Sequence, residues 1–406
     1  MRANIFRSCF FARVAAATVT LAALCVGALP AAADGAAQAS VEGLARSFLA
    51  KYHLKAAIVQ VRSDGAVTQT YAFGESMTGV PAAPAMHFRN GAMAFTYMST
   101  LLLVLVDQNK ATLDDKLSAY LPNLPHADAI TLRNLANMTS GYADYVYTPE
   151  LIDGTNANPF RHWTSDELIK IGISKPMMFA PGTNWGYSHT NYVILGRVLE
   201  KIAGMPLADA MQKYVFDPLG MKQTQAWPTP FVPEPVLHAY SSERREPLGI
   251  KSAVPFYEES TFWDPSWTTA EGAVETTDIS DMASSWEAIG TGKLLSKASS
   301  DAQLGPHLIG FGHADPKCPG VCRKMTQAMN YGLGVVNLGP WIIQTKAFAG
   351  CSGTVGYLPA KKLTVAVVVT YAPAAYDAKG NSKDASVPTF AALVDALAPG
   401  TLVVPR

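Results

Sequence analysis

The chain has little charge and few cysteines. Only 16% of its 406 residues are charged, and 32 basic and 32 acidic residues balance to a formal charge of zero. A chain with no excess positive charge lacks the attraction that nucleic-acid binding requires, so we expect no nucleic-acid partner. Hydrophobic residues make up 49% of the sequence, which supplies enough apolar side chain for an extensive core.

An apolar stretch at the N-terminus predicts an export signal. Three arginines stand within the first 13 residues, Val14 to Leu29 is apolar, and Ala31-Ala32-Ala33 is a small-residue cleavage site. The apolar run is shorter than the roughly 20 residues that a membrane-spanning helix needs. We therefore predict a signal peptide over residues 1–33, no transmembrane segment after cleavage, and a periplasmic or secreted mature protein.

The chain has five cysteines, and two of them, Cys9 and Cys25, belong to the predicted signal peptide. Cys318 and Cys322 are separated by Pro-Gly-Val, which favours a small loop disulfide in an oxidising compartment. A metal site is the alternative, but no second Cys pair or His pair accompanies them. We expect no metal and no cofactor, and Cys351 remains as a single thiol.

The first third of the chain alternates helical and strand patterns. An amphipathic stretch from Val41 to Tyr52 predicts a helix, and Ala57 to Arg62 and Ala66 to Gly74 predict two strands joined by a Ser-Asp-Gly turn. The run from Phe95 to Asp107 is almost wholly apolar, which is typical of a buried central helix. These elements predict a helix packed on a hairpin, followed by a core helix.

The middle of the chain is rich in helix caps, proline and glycine. It predicts short helices and loops, of which Thr190 to Ala203 is the clearest, ending at Gly204. We interpret residues of roughly 113–270 as a helical lobe inserted between the sheet-forming ends of one domain, residues 34–400.

The C-terminal third returns to a strand pattern. Residues Tyr331 to Thr370 alternate as strands do and end in a β-branched run from Leu363, suited to a central strand. Pro388 to Ala398 predicts a closing helix, with proline in its first turn. Strands at both ends with helices between them predict a single sheet built from both ends of the chain.

Ten short phrases stand in a fixed order between Leu44 and Ala372. They are Phe88-Arg89-Asn90-Gly91, Leu113-Asp114-Asp115, Tyr120-Leu121-Pro122, Thr131-Leu132-Arg133-Asn134-Leu135, Thr139-Ser140-Gly141, Pro181-Gly182-Thr183, Tyr187-Ser188, Asn191-Tyr192, Phe216-Asp217-Pro218-Leu219-Gly220-Met221 and Tyr331-Gly332-Leu333-Gly334. Together they resemble the β-lactamase-related family of class C β-lactamases, penicillin-binding proteins, D-alanyl-D-alanine carboxypeptidases and esterases. The resemblance implies an α+β, β-lactamase/transpeptidase-like fold, in which an antiparallel sheet flanked by helices lies beside an all-helical lobe. It implies a site in the cleft between the two.

The first family motif, Ser-x-x-Lys, opens a helix with a serine nucleophile and places a lysine base one turn later on the same face. When the sequence is aligned on Phe88-Arg89-Asn90-Gly91, those two positions hold Ala92 and Phe95. A methyl group cannot attack a carbonyl, and a phenyl ring cannot carry a proton. The resemblance therefore implies a family site without its nucleophile and base.

The second motif, Tyr-x-Asn, supplies a phenol that moves protons and an amide that orients the substrate. The matching residues are Tyr187, Ser188 and His189, so the phenol is kept and the amide is replaced by an imidazole. We expect Tyr187 to face the cleft, whereas His189 fits a structural role as well as a cleft role.

The third motif, Lys-Thr-Gly or His-x-Gly, lies on the strand that lines the site and helps bind carboxylate groups. Its counterpart is Gly350-Cys351-Ser352-Gly353, in which Cys351 replaces the basic residue. The predicted cleft thus consists of Ala92, Phe95, Tyr187, His189, Cys351, Ser352 and Gly353.

Two functions remain open. The favoured hypothesis is a non-catalytic binding or regulatory protein whose ligand is a small molecule or a cell-wall peptide. The alternative is an amide, ester or peptide hydrolase with relocated chemistry, in which His189 activates a Cys351 thiolate, because His189 is the electropositive neighbour that the motifs offer. Ser140, Ser188 and Ser352 have no Lys or His at a suitable spacing, and the sequence carries no signature of an oligomeric state.

Overall fold

The computed structural model describes residues 30–403, with side chains from residue 41 onward. Residues 1–29, most of the predicted signal peptide, lie outside the described residues. The first helix, α1, spans Pro30–Lys51 and includes the predicted helix that follows the signal. Across residues 30–403, no helix is both long enough and apolar enough to cross a membrane.

The described part of the chain contains eleven α-helices and thirteen β-strands. After α1 the helices are α2 Ala94–Asp107, α3 Leu132–Ala136, α4 Pro149–Ala157, α5 Ser165–Ile173, α6 His189–Ala203, α7 Leu207–Met211, α8 Asp217–Leu219, α9 Ile279–Gly290, α10 Lys297–Leu304 and α11 Ser386–Leu397. The strands are β1 Leu54–Ser63, β2 Ala66–Met77, β3 Val80–Pro81, β4 Phe88–Arg89, β5 Gln225–Ala226, β6 Tyr240–Ser241, β7 Glu258–Glu259, β8 Glu275–Thr277, β9 Met329–Tyr331, β10 Val336–Leu338, β11 Trp341–Phe348, β12 Cys351–Leu358 and β13 Leu363–Tyr371.

The main sheet has eight antiparallel strands in the order β3-β2-β1-β13-β12-β11-β10-β9. The N-terminal hairpin joins the C-terminal strands where β1 pairs with β13, with Ile58 opposite Val368. The predicted β-branched run forms β13, every residue of which is buried. This topology confirms the predicted antiparallel sheet, flanked by helices and formed from both ends of the chain.

Helices cover both faces of the sheet. Neighbouring residues of a strand point to opposite faces of the sheet. On one face, a Cβ added to Gly356 of β12 would lie 2.5 Å from Phe390 of α11. On the other face, Tyr357 of β12 lies against Gly290 of α9. Helix α1 packs against α11 on its face of the sheet. The central strands are therefore buried on both sides, which explains their nearly continuous apolar sequence.

The central helix α2 lies inside the protein, as its sequence predicts, with residues Ala94 to Leu103 all buried. A 3₁₀ turn at Gly91–Met93 leads into it. The Thr96 hydroxyl donates to the carbonyl of Gly334, 2.6 Å away, and ties the first turn of α2 to the segment between β9 and β10. The N-terminus of α2 is thereby fixed beside the sheet, and the candidate site is built around it.

Candidate functional site

The turn that opens α2 is held against the sheet on one side and against a buried acid on the other. The side chain of Asn90 donates to Glu275 of β8, and the Glu275 backbone N–H donates to the Asn90 side-chain oxygen at 3.0 Å. Gly91 adopts a φ of 55°, and a Cβ there would lie 3.2 Å from Cβ of Lys346 on β11. Ala92 follows and is partly exposed. A side chain at Gly91 would press on Lys346, so the turn that contains Gly91 and Ala92 lies close against β11.

Phe95 stands one turn further along α2 and is fully buried. Its ring stacks on that of Tyr192, with centroids 4.1 Å apart and an interplanar angle of 10°. The rings of His189 and Tyr187 contact it at centroid distances of 5.4 and 5.9 Å. Phe95 is therefore the centre of an aromatic cluster in which its phenyl ring has no polar role.

Tyr187 and Ser188 lead into α6, which begins at His189. Tyr187 is partly buried, with its ring edge toward His189 at 5.2 Å. The preceding residue, Gly186, forms a β-bridge with Cys322, which is joined to Cys318 by a disulfide. The disulfide loop thus lies directly against the backbone that carries Tyr187. Ser188 is fully buried, and its hydroxyl finds no hydrogen-bond partner within the described part of the chain.

The imidazole of His189 is oriented by a carboxylate. Its Nδ1 atom lies 2.9 Å from Oδ2 of Asp144, while Oδ1 of Asp144 accepts the backbone N–H of Val146 at 3.1 Å. A carboxylate only accepts hydrogen bonds, so Nδ1 is the donor and Nε2 of a neutral ring is left as an acceptor. His189 keeps 17% of its side chain exposed.

The phenols around this cluster are held in their neutral form. Burial raises the pKa of Tyr145, Tyr192 and Tyr331 above the ordinary value for a phenol. The Tyr192 hydroxyl already lies 2.8 Å from the Ala136 carbonyl and 2.8 Å from the Ser99 hydroxyl. None of the three phenols is therefore a base at neutral pH.

Cys351 contacts a lysine that the sequence motifs did not indicate. Nζ of Lys346 lies 2.7 Å from Sγ of Cys351, and both side chains are buried. The ammonium also lies 4.9 Å from the ring centroid of Phe88. The sequence motifs offered His189 as the electropositive neighbour of Cys351, whereas in the structure a lysine from the adjacent strand reaches the thiol and His189 pairs with Asp144.

The register of β11 and β12 explains how Lys346 arrives there. Phe348 pairs with Cys351 and Lys346 with Gly353, so these four residues share one face of the sheet. A Cβ on Gly353 would lie 3.0 Å from Cε of Lys346, so the glycine leaves room for the lysine to pass. A lysine therefore lies beside the position of the third motif, and it comes from the neighbouring strand.

Ser352 points to the opposite face. Its hydroxyl lies 2.6 Å from the Tyr371 hydroxyl. Ser140 is also engaged in structural contacts, since its hydroxyl donates to Asn191 and accepts the Tyr142 N–H at 3.1 Å. Neither serine lies within hydrogen-bond distance of a lysine or histidine among the described residues.

The structure therefore brings the predicted residues together in two groups that share the N-terminus of α2. Phe95, Tyr187 and His189 form the aromatic group, and Cys351 with Gly353 forms the strand group. Sequence reasoning missed Asp144, Tyr192 and Lys346. Asp144 follows the Thr-Ser-Gly phrase, and Lys346 alternates in phase with Phe348. These sequence positions alone do not show which residue each side chain contacts, because that depends on how the strands and helices pair in the folded protein.

An antiparallel sheet between helices, with a site at the N-terminus of a buried helix, defines an α+β protein of the β-lactamase and transpeptidase class. The sequence model of the Beta-lactamase family matches residues 41–388. The chain belongs to the Beta-lactamase family.

Known proteins agree with this assignment. The chain is 27% identical to Penicillin-binding protein 4* of Bacillus subtilis (strain 168) over 179 residues, which is 42% of this chain and 37% of that protein. The match thus spans well under half of the relative's length. A D-stereospecific amidohydrolase from Streptomyces sp. superposes with a TM-score of 0.71 at 23% identity, over 90% of this chain and 99% of that one. A D-amino acid amidase from Ochrobactrum anthropi SV3, complexed with D-phenylalanine, gives 0.72 at 19% identity over 89% and 99%. At these identities the two structures show a shared fold.

Proposed function

We propose that this protein is a non-catalytic, ligand-binding member of its family, in which Ala92 and Phe95 occupy the positions of the serine nucleophile and the lysine base. The observation that carries the proposal is the burial of Phe95, whose ring stacks on Tyr192 and contacts His189. A lysine ammonium in the same place would be fully buried and would lose its hydration. The surroundings of residue 95 therefore suit an apolar side chain, not a base.

The remaining polar groups support ligand binding without turnover. His189 offers one ring nitrogen, fixed in direction by Asp144, and Tyr187 lies beside it. The free ring nitrogen of a fixed imidazole accepts a hydrogen bond from the N–H of an amide or an amine, but the imidazole cannot form an acyl-enzyme by itself without a nucleophile. The ligand classes to test are cell-wall peptides and other small molecules, including D-amino acids, which the name of the amidase relative suggests.

A hydrolase panel combined with thermal-shift screening tests the proposal. Purified protein should hydrolyse neither nitrocefin nor p-nitrophenyl esters, while a wall fragment or a D-amino acid should raise the melting temperature. A matched His189→Ala variant should lose that ligand-induced shift. Steady turnover of any substrate would contradict the non-catalytic proposal. If the Cys351→Ala variant kept that turnover, Cys351 would be excluded as the nucleophile.

The second candidate function is a hydrolase with relocated chemistry, and the 2.7 Å contact between Lys346 and Cys351 favours it. Lys346 in its neutral form would take the thiol proton, and the thiolate sulfur would attack an acyl carbon. The amine or alcohol would leave with that proton, and water would then cleave the thioester to a carboxylic acid and the free thiol. Loss of all hydrolysis on Cys351→Ala, with activity kept in Cys318→Ala/Cys322→Ala, would establish this candidate in place of the first.

We further propose that the chain is exported and that residues 34–400 form one domain with the helical lobe inserted. The arginine-led apolar segment and the Cys318–Cys322 disulfide support export, since disulfides persist in oxidising compartments. N-terminal sequencing of protein recovered from the periplasm or the medium should begin near Asp34. A full-length chain retained in the cytoplasm would contradict export without affecting the proposed binding function.

A further inference from the structure

A cavity of about 120 Å³ opens beside the candidate site, at the ends of β11 and β12. Cys351 lies in its lining and connects it to the candidate site, while Phe95 and His189 are not among its lining residues. Its walls come from α4, from the segment before α11, and from the loops that carry Glu243 and Trp263. This space is about the size of a cavity that holds one benzene ring.

One side of the cavity is aromatic. Trp263 and Phe348 are buried, and the Trp267 ring lies nearly parallel to Phe348 with centroids 6.0 Å apart. These rings present flat apolar surface and the negative faces of their π-systems. Such a wall favours a planar apolar group and also stabilises a nearby cation.

The other side carries a carboxyl group with no protein partner. Glu243 lines the cavity, and no donor or cation among the described side chains forms a hydrogen bond or ion pair with its carboxyl group. Burial raises its pKa to about 7. A second acid, Asp384, is held by the Ser386 N–H at 2.8 Å and hydroxyl at 2.7 Å, and burial raises its pKa as well.

Arg244 also lines the cavity, but its guanidinium group already has hydrogen-bond partners. Arg244 donates to Glu258 at 2.9 Å and to the carbonyl of Asn156 at 2.8 Å. Its charge is therefore offset by Glu258, and Glu243 is left without a counterion. A partly buried carboxyl group with no counterion among the described side chains, in a cavity that is also lined by aromatic rings, matches a ligand that brings its own positive charge.

We propose that this cavity binds small amines that carry a flat apolar group, with the ammonium at Glu243 and the apolar group against Trp263, Trp267 and Phe348. The inference extends the proposed function, on which it rests, by naming a ligand class for the space next to Cys351. A charge-assisted hydrogen bond to the Glu243 carboxylate supplies the selectivity for an ammonium over a hydroxyl of the same size.

Calorimetric titration of the full chain at pH 8 with benzylamine, benzyl alcohol and benzoate tests the inference. Benzylamine should bind at least about tenfold more tightly than benzyl alcohol, and benzoate should not bind. Glu243→Gln should reduce benzylamine affinity to that of the alcohol. The matched variant Glu246→Gln, at an exposed residue paired with Lys379, should leave it unchanged. Trp263→Leu should weaken the amine and the alcohol together.

The outcomes separate this inference from the proposed function. Equal affinity for amine and alcohol, no binding at millimolar concentration, or an unchanged Kd in a folded Glu243→Gln variant overturns the amine site alone. Because the carboxyl group has no partner among the described side chains, the variant should unfold cooperatively at a melting temperature no lower than that of the native protein, which confirms that it is folded. Catalytic turnover or penicillin acylation overturns the non-catalytic proposal while leaving amine binding intact.

Discussion

The ring of Phe95 lies parallel to the ring of Tyr192, with their centroids 4.1 Å apart, directly below the turn that holds Ala92. Phe95 is fully buried, with the tilted ring of Tyr187 and the roughly perpendicular ring of His189 as further neighbours. The side chain that the family resemblance places at the position of a base is thus part of the hydrophobic core. Its contribution to stability is measurable.

Replacement of Phe95 by alanine should destabilise the protein by about 3–5 kcal/mol, because it removes a buried ring and leaves a cavity. Phe160, which is 60% exposed, provides the matched control, and Phe160→Ala should change the free energy of unfolding by less than about 0.5 kcal/mol. Urea unfolding followed by tryptophan fluorescence measures both. Similar small losses in the two variants would show that Phe95 is not a core residue.

The Lys346–Cys351 contact predicts a thiol whose reactivity depends on the lysine. Lys346→Met removes the amine and keeps an unbranched side chain, so reaction of Cys351 with methyl methanethiosulfonate at pH 7 should slow about tenfold. Lys383→Met, at an exposed residue near the same end of the sheet, should leave the rate unchanged. An equal rate in native protein and Lys346→Met would mean that the amine does not favour the thiolate.

Asp144 should hold one tautomer of His189. Neutral His189 should carry its proton on Nδ1 in native protein, because that nitrogen donates to the carboxylate, and nitrogen-15 shifts of the imidazole report this directly. Asp144→Ala should release the tautomer and lower stability by about 1–2 kcal/mol, since it also removes the cap on Val146. Asp144→Asn retains an acceptor for that cap and should recover most of the stability. An Nε2–H tautomer in native protein would contradict the arrangement.

Glu243 predicts a pH dependence of a definite sign. Burial raises its pKa from 4.5 to about 7, so between these values the folded protein binds more protons than the unfolded chain. This group's contribution to stability is therefore present below pH 4.5 and is lost as the pH rises toward 7.

The Glu243→Gln variant isolates that effect from other titrating groups. The difference in unfolding free energy between this variant and native protein should shift by about 2 kcal/mol in favour of the variant as the pH rises from 4 to 8. This value is smaller than the pKa shift alone would give, because the carboxyl group keeps partial contact with solvent. Glu246→Gln should show no such trend, because its carboxyl group is exposed. A pH-independent difference between Glu243→Gln and native protein would show that Glu243 titrates as in solvent.

Much of the fold could be predicted from the sequence, because its strongest patterns are local. The β-branched run of β13, the apolar run of α2, and Gly204 at the end of α6 with a φ of 69° each follow from side-chain shape or backbone freedom. These predictions are confirmed to within a few residues. The predicted domain limits and site assignments stay predictions.

The contacts within the site depend on how residues of neighbouring strands pair, and this pairing cannot be read from the sequence. Lys346 reaches Cys351 only because Phe348 lies opposite Cys351 across the β11–β12 pair. Asp144 reaches His189 across a separation of 45 positions in the chain. Motif alignment places residues in order, but a one-residue change in strand pairing would have turned Lys346 to the other face.

Intact-mass measurement after incubation with a penicillin tests the central claim most directly, namely that Ala92 and Phe95 replace the serine nucleophile and its base. The native protein should show no added mass, and a folded Ala92→Ser/Phe95→Lys variant should gain one penicilloyl group on residue 92. A penicilloyl adduct that peptide mapping locates on a serine of the native protein would contradict the claim.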